Sequence, residues 1–291
     1  MVIMSVLDLL LDPFYYTFMI RAMWVAGVVG LTCGLLSCLV TLKGWSLLGD
    51  ALSHAVVPGV VVSHLLGWPF ALGALIAGVL AALGIGGVRQ LSGLRGDACI
   101  GVVFTAFLAF GLLLISAFPS TLSLTSVLFG NLLGIDPADA LQVLVISVVA
   151  MGLLMLRWKD LLLFSFDEPQ ARAVGISVRS LHVLMLVLIA LVTVAALQAV
   201  GAILVMALLI TPGATAFLLS QRFKRMLLIA GLMGSVLPVL GAWLSFFVDA
   251  SVGGVIVLLN LLAFALALLC SPQRGIWSRR TRKSVFARRV P

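Results

Sequence analysis

The sequence predicts an all-α fold: a polytopic membrane helix bundle of about eight to nine transmembrane helices with one short cytoplasmic helix. Two features of composition lead to this class, since 63% of the 291 residues are hydrophobic and only 10% are charged. A soluble domain carries about 25% charged residues, so water is not the solvent for most of this surface. The composition therefore excludes a soluble enzyme, a nucleic-acid-binding protein and a disordered scaffold.

The third observation is a series of apolar segments, each near the roughly 20 residues that a bilayer core about 30 Å thick requires. The predicted spans are 17–41, 46–66, 69–88, 98–116, 138–156, 181–197, 200–219, 226–247 and 252–270. The connection between the fourth and fifth spans is the least regular. Its stretch 125–134, TSVLFGNLLG, is equally compatible with an interfacial or re-entrant segment, so a count of eight full spans stays open.

Basic residues between the spans indicate the orientation, because Lys and Arg are enriched in cytoplasmic loops. Nine spans place all of them on one side: Lys43, Arg89, Arg95, Arg157, Lys159, Arg172, Arg179, Arg222, Lys224 and Arg225. The N-terminus, with Asp8 and Asp12, is then outside, whereas eight spans would reverse it. We expect a transmembrane domain over 1–273 and a basic cytoplasmic tail over 274–291 that contacts membrane lipid and no nucleic acid.

Nothing in the sequence supplies an ATP site. It contains no GxxxxGK[ST] loop that could hold a phosphate, and the longest polar connection is 157–179. We therefore expect no enzyme activity in this chain and ATP hydrolysis, if used, on a partner chain. The four cysteines lack the spacing of a metal site and are predicted to be structural thiols; they are Cys33, Cys38, Cys99 and Cys270.

Asp50 is the acidic residue that lies within a predicted span, whereas the other acids fall in loops or at span ends, and an ionisable group inside a span is a functional candidate. His54 follows at i+4, about 40° away on the same helical face. One carboxylate oxygen and one imidazole nitrogen suit Mn²⁺, Fe²⁺ or Zn²⁺. Pro58 has no N–H to donate to the His54 carbonyl, so a kink is predicted beside the pair. The alternative is a buried pair that only holds helices together.

His64 is the third candidate metal residue. It lies ten positions beyond His54, about 15 Å further along a helix on nearly the same face, where it would line the path outward. An interfacial histidine beside Trp68 is an equally open interpretation. His182, at the start of the sixth span, is expected to be an interface residue.

The connection 165–177 predicts a short helix on the cytoplasmic face. Pro169 suits a first helical turn, and Asp167 and Glu168 lie near its positive end. Ala171 and Gly175 follow in the same segment. Docking onto a cytosolic partner would explain such a helix, and a plain surface connector is the alternative.

These segments together resemble the permease subunit of the manganese/zinc/iron ABC transporters. The matching runs are GDALSHAVVPG (Gly49–Gly59), DEPQARAVGI (Asp167–Ile176) and QAVGAILVMALLITPGATA (Gln198–Ala216). The resemblance extends over about residues 15–270. The family more often has Ala at the position of Gly213, and we expect this glycine to loosen the packing after Pro212.

The resemblance implies an importer of the bacterial inner (plasma) membrane. It implies a second permease subunit, identical or paralogous, cytosolic ATP-binding subunits, and a periplasmic or lipid-anchored metal-binding protein. Asp50 and His54 correspond to the family's metal-coordinating positions, and Glu168 with its neighbours corresponds to the coupling helix. No cofactor is expected to be bound permanently, since the divalent metal is the cargo.

Two other functions stay open from the sequence. A proton-coupled secondary metal transporter would use Asp50 as the titrating group, although the chain shows no half-to-half repeat. An intramembrane metalloenzyme would need a third ligand and a general base, and the sequence has three histidines and no HExxH motif.

Overall fold

The computed structural model describes residues 10–94, 96–118, 130 and 132–271, and its regular structure is helical throughout these ranges. A 3₁₀ turn at Asp12–Tyr15 comes before the first helix. The helices are α1 (Thr17–Lys43), α2 (Ser46–Ala55), α3 (Val57–Leu66), α4 (Phe70–Ser92), α5 (Gly96–Ala117), α6 (Pro137–Phe166), α7 (Glu168–Ala173), α8 (Val178–Val200), α9 (Ala202–Leu219), α10 (Phe223–Val248) and α11 (Val252–Cys270).

Within the described ranges, nine of these segments are long and apolar enough to cross a membrane, with α2 and α3 together forming one of them. The prediction of an all-α bundle with nine spans is therefore confirmed, and the eight-span alternative is not supported. The stretch 125–134 lies mostly outside the described residues, as do Asp8, Arg95 and the tail 274–291.

Helices α1 and α8 form the centre of the bundle. About three quarters of each is buried (78% and 72% of the apolar window), compared with 17% for α5. Helix α1 packs on α10 so closely that a Cβ at Gly30 would clash with the backbone of Gly234. Such close approach of small residues is a common way for helices to associate in membranes. The exposed faces of α5, α6 and α11 are apolar and suit contact with lipid.

The expectation of loose packing at Gly213 was wrong. A Cβ at this position would clash with the backbone of Ser37, so α9 lies directly against α1 here. The glycine therefore permits close contact between the two backbones.

Helix α6 continues ten residues beyond its predicted end at 156. The backbone bends at Arg157, where φ is −116° and ψ is 16°. The helix then resumes because Leu161 and Phe164 are fully buried, and the burial of their apolar side chains stabilises the additional turns. The connection predicted over 157–179 is accordingly much shorter.

The predicted clustering of basic residues on one side is visible in the contacts between helix ends. Lys43 ends α1 and bonds Glu168 at the start of α7. Trp158, beside the bend in α6, stacks on Phe223 at the start of α10, with ring centroids 6.3 Å apart. We call this end of the bundle the basic face; its described cations include Lys43, Arg89, Arg157, Lys159, Arg172, Arg179, Arg222, Lys224 and Arg225.

Candidate metal site and coupling helix

Asp50 and His54 lie together inside the span formed by α2 and α3. The imidazole Nε2 of His54 is 3.5 Å from Oδ1 of Asp50, and about a third of each side chain is exposed (27% for His54 and 33% for Asp50). The hydroxyl of Ser53 donates to the backbone carbonyl of Asp50 at 2.7 Å. The ring of His54 packs on Phe104 of α5, with centroids 5.8 Å apart. The predicted pairing on one helical face is therefore present.

Oδ1 of Asp50 is buried and accepts no hydrogen bond from any described residue. The 3.5 Å separation from His54 counts as an ion-pair distance, but it is longer than the 2.7–3.2 Å of an ordinary hydrogen bond. A buried polar atom without a partner normally costs free energy. The carboxylate oxygen and the imidazole nitrogen thus lie close together without a strong hydrogen bond between them.

The predicted break next to this pair is also present. Helix α2 ends at Ala55, α3 begins at Val57, and Pro58 lies in the first turn of α3. The Val56 N–H bonds the Leu52 carbonyl at 3.2 Å. Pro58 cannot make the equivalent bond to the His54 carbonyl, because proline has no N–H. The His54 carbonyl instead accepts a backbone hydrogen bond at the C-cap of α2.

His64 lies in the last turn of α3, and its side chain is exposed. In the part of the chain that the structure describes, no group of three or more His, Cys, Asp or Glu side chains could hold a metal ion together. The structure therefore unites Asp50 and His54 and leaves His64 apart from them, at the other end of the same span. This agrees with the separation expected along a helix, and a role for His64 in the path stays a prediction.

The short helix predicted in the segment 165–177 is α7. Asp167 caps it by accepting a hydrogen bond from the Gln170 N–H at 3.0 Å, and Pro169 occupies the first turn. Ala171 is fully buried against the bundle. Gly175 ends the segment with φ +83°, a left-handed conformation that side chains disfavour. Asp167, Ala171 and Gly175 thus each have a local structural function.

Glu168 connects α7 to the bundle. Its carboxylate accepts hydrogen bonds from Lys43 at 3.1 Å and from Arg172 at 2.9 Å. Partial burial acts to raise the pKa of Glu168, but the bonds and charges of Lys43 and Arg172 outweigh it and hold the pKa below its ordinary value of 4.5. The residue is therefore ionised at neutral pH.

The sequence did not point to the residues that surround these two sites. Phe104 is 50 positions from His54, and Lys43 is 125 positions from Glu168. The spacing of residues along the sequence cannot predict such contacts, because hydrophobic periodicity indicates only which residues are neighbours on one helix. His182 was expected at an interface, and it packs edge-to-face on Trp45 with centroids 5.0 Å apart.

A bundle of apolar helices, each long enough to cross a membrane, is the architecture of a multi-pass membrane protein. The chain belongs to the ABC 3 transport family, whose profile matches residues 15–271. This match covers almost all of the described structure, and it agrees with the extent of the resemblance seen in the sequence.

Similar proteins support the same assignment. The chelated iron transport system membrane protein YfeC of Yersinia pestis is 48% identical over 285 residues, which are 98% of this chain and 97% of that protein. The manganese transport system membrane protein MntB of Synechocystis is 46% identical over 274 residues, 94% of this chain and 90% of that protein. The solved structure of PsaBC from Streptococcus pneumoniae in complex with Fab matches with a TM-score of 0.84 and 35% identity, over 96% of this chain and 99% of that one.

Proposed function

We propose that this chain is the membrane-spanning permease of an ABC importer for a divalent transition metal such as Mn²⁺, Fe²⁺ or Zn²⁺. The observation that carries the proposal is the unpartnered Oδ1 of Asp50, 3.5 Å from His54 within a span. The relatives named above are membrane proteins of iron and manganese transport systems, and this cargo class fits the oxygen and nitrogen donors.

The pair would act as a transient ligand set. Two or four mixed oxygen and nitrogen donors hold a cation weakly enough for release, in contrast to the closed cage of four cysteines in a structural site. A second permease subunit, identical or paralogous, would bring another such pair to a shared path between the subunits. Alternating access would then expose the site to each side of the membrane in turn, with His64 lining the outer part of the path.

ATP hydrolysis belongs in this proposal to separate cytosolic subunits, which dock on α7. Next to α7 is a cavity of about 760 Å³ on the basic face, lined by Arg89, Arg179, His182, Glu168 and others. Arg89 and Arg179 have no hydrogen bond or ion pair with any described residue. In this proposal these cations would face an acidic surface of the docking partner, and Asp167, Glu168, Ala171 and Gly175 would form the centre of the coupling surface.

The remaining parts of the system follow from the import direction. A periplasmic or lipid-anchored protein would deliver the metal to the face opposite the basic one, and the chain would reside in the bacterial inner membrane. The basic tail 274–291 would lie against anionic lipid on the cytoplasmic side.

The test is cellular metal accumulation, measured by mass spectrometry for Mn, Fe and Zn together. A strain without its own importers would carry the permease with its ATPase and binding protein. Asp50→Asn and His54→Gln should each lower the accumulation of one metal about tenfold or more at equal amounts of protein in the membrane. Asp139→Asn is the matched control, because Asp139 is an exposed acid in the first turn of α6.

The outcomes separate the function from the site. Accumulation of one metal that is lost in Asp50→Asn and kept in Asp139→Asn supports both the transport function and the metal site. Metal accumulation that persists in both Asp50→Asn and His54→Gln would exclude this pair as the binding site. Uptake that persists with an inactive ATPase and disappears with the proton gradient would instead indicate a secondary carrier, which the family match does not favour.

A further inference from the structure

Lys43 joins three helix ends at one point on the basic face. Its side chain is 13% exposed, and its ammonium group donates to Glu168 Oε2 at 3.1 Å and to the carbonyl of Phe164 at 3.0 Å. The same ammonium lies 3.8 Å from the centre of the Phe164 ring. A cation that is partly withdrawn from water and held by a carboxylate, a carbonyl and a ring is fixed more firmly than an exposed one. The end of α1, the end of α6 and the start of α7 are therefore held together.

The turn after Lys43 leads directly into the helix that carries the metal pair. Only Gly44 and Trp45 separate α1 from α2. Gly44 is left-handed with φ +71°, and the Trp45 N–H bonds the Val40 carbonyl at 3.0 Å, so the turn is closed by hydrogen bonds. The Leu48 N–H in turn bonds the Trp45 carbonyl at 3.0 Å. These hydrogen bonds therefore couple the position of the first turn of α2 to that of Lys43.

Trp45 makes a second connection within the same cluster. Its ring packs edge-to-face on Phe164, with centroids 6.3 Å apart, and on His182 of α8, with centroids 5.0 Å apart. Asp50 is five residues after Trp45, about 7 Å along the helix. A movement of the Trp45 backbone would therefore reach Asp50 through little more than one helical turn.

From these contacts we infer that Lys43 is a positioning residue that transmits movement of α7 to α2, and so to the Asp50–His54 pair. This inference rests on the proposed function and adds to it the specific link between ATPase docking and the metal site. When a partner displaces α7, the ion pair between Glu168 and Lys43 displaces the end of α1. The two-residue turn Gly44–Trp45 then transmits this displacement to α2. Rigid packed elements with discrete arrangements carry such coupling.

The first experiment measures coupling in the complete transporter, with its ATPase and binding protein, in liposomes. Lys43→Met removes the cation and keeps much of the side-chain length; Lys43→Arg keeps the cation. Arg157→Met is the control, because Arg157 forms an exposed ion pair with Asp160 within α6 on the same face. The readouts are ATP hydrolysis and metal transported per ATP hydrolysed.

Lys43→Met should lower metal transported per ATP about tenfold, while ATP hydrolysis stays within about twofold of wild type. Lys43→Arg should restore most of the ratio, and Arg157→Met should leave it unchanged. An unchanged ratio in Lys43→Met would overturn the inference. A parallel loss of hydrolysis and transport would do so as well, because it would reduce Lys43 to a folding or docking role.

A second measurement does not depend on metal transport. Spin labels at positions 47 on α2 and 228 on α10, both exposed, would report the distance between these helices as the ATPase and ATP are added. The background would be Cys270→Ser, since Cys270 is exposed and the other three cysteines are buried. A distance change in wild type that is absent in Lys43→Met supports the link even if no metal is carried. The same change in both proteins, or no change in wild type, would overturn it.

Discussion

The imidazole of His54 and the ring of Phe104 pack edge-to-face at 5.8 Å, which fixes one side of the only acid–imidazole ion pair among the described residues of the membrane spans. Phe104 belongs to α5, the span with the most exposed surface. A helix that is little buried in the bundle therefore supports the orientation of a candidate metal ligand.

Removing that support should weaken transport without removing a ligand. Phe104→Ala is expected to lower metal uptake several-fold, because His54 then loses the surface that restricts its rotamers. Uptake at limiting and saturating metal would show the change mainly as a higher metal concentration for half-maximal rate. Phe110→Ala on the same helix is the control, since its ring is 54% exposed. Equal losses in both variants would mean that α5 matters for packing alone.

Asp50→Asn should leave the stability of the protein intact. The buried Oδ1 has no hydrogen-bond donor among the described residues, so an amide of the same shape loses no bond and avoids burying a charge. The free energy of unfolding should stay the same or rise by up to about 1 kcal/mol, as measured by thermal unfolding in one detergent. A clear decrease would favour the alternative in which the pair holds the helices together.

Pro58→Ala should stabilise the span and impair transport. Alanine supplies the N–H that a continuous helix would use at position 58, and it removes the ring that breaks the helix, so the span should straighten. We expect a gain in unfolding free energy of about 1 kcal/mol or more with a clear loss of uptake, the usual opposition between stability and activity at a strained site. Pro238→Ala in α10 is the comparison for losing a helical proline elsewhere. Full transport by Pro58→Ala would show that the break is not needed.

Glu168 should make stability depend on pH in the acidic range. Its pKa is lowered in the folded state, so its ionised form contributes stability above the ordinary value of 4.5, and this contribution disappears as the pH falls through the lower folded value. The difference in unfolding free energy between wild type and Glu168→Gln should be constant near neutral pH and shrink below about pH 4.5. It should be small, about 1 kcal/mol or less, because 36% of the side chain is exposed and solvent screens the pair.

Asp160→Asn is the control for this pH profile. Asp160 pairs with Arg157 three residues earlier on an exposed helix surface, at 3.2 Å. Such pairs contribute little, so this variant should match wild type at every pH. A Glu168→Gln difference that grows as the pH falls would have the wrong sign and contradict the assignment of the Lys43 bond.

Features that depend on near neighbours in the chain could be predicted from the sequence. The i+4 spacing of Asp50 and His54, the helix-breaking effect of Pro58 and the cap before α7 at Asp167 are all local. The end of α6 could not be found this way. The charges at Arg157, Lys159 and Asp160 interrupt the apolar window, whereas the helix continues because Phe164 is buried by distant helices.

The contacts that surround the site depend on which helices meet, and hydropathy carries no information on that. Lys43 is an unremarkable cation at a helix end until Glu168 is brought within 3.1 Å of it. Gly213 was likewise expected to loosen the packing, because the sequence does not show that the Ser37 backbone lies against it.

The depth of Asp50 has an electrical consequence. The residue is the fifth of the 21 in its span, Ser46–Leu66, so it lies about 6 Å from the basic-face end and about 24 Å from the other. With the basic face in the cytoplasm, a divalent cation arriving from outside would cross about four fifths of the membrane field before meeting the carboxylate. An inside-negative potential of about 100 mV would favour its arrival by on the order of 4 kcal/mol. Occupancy of the pair should therefore increase with membrane voltage as well as with metal concentration.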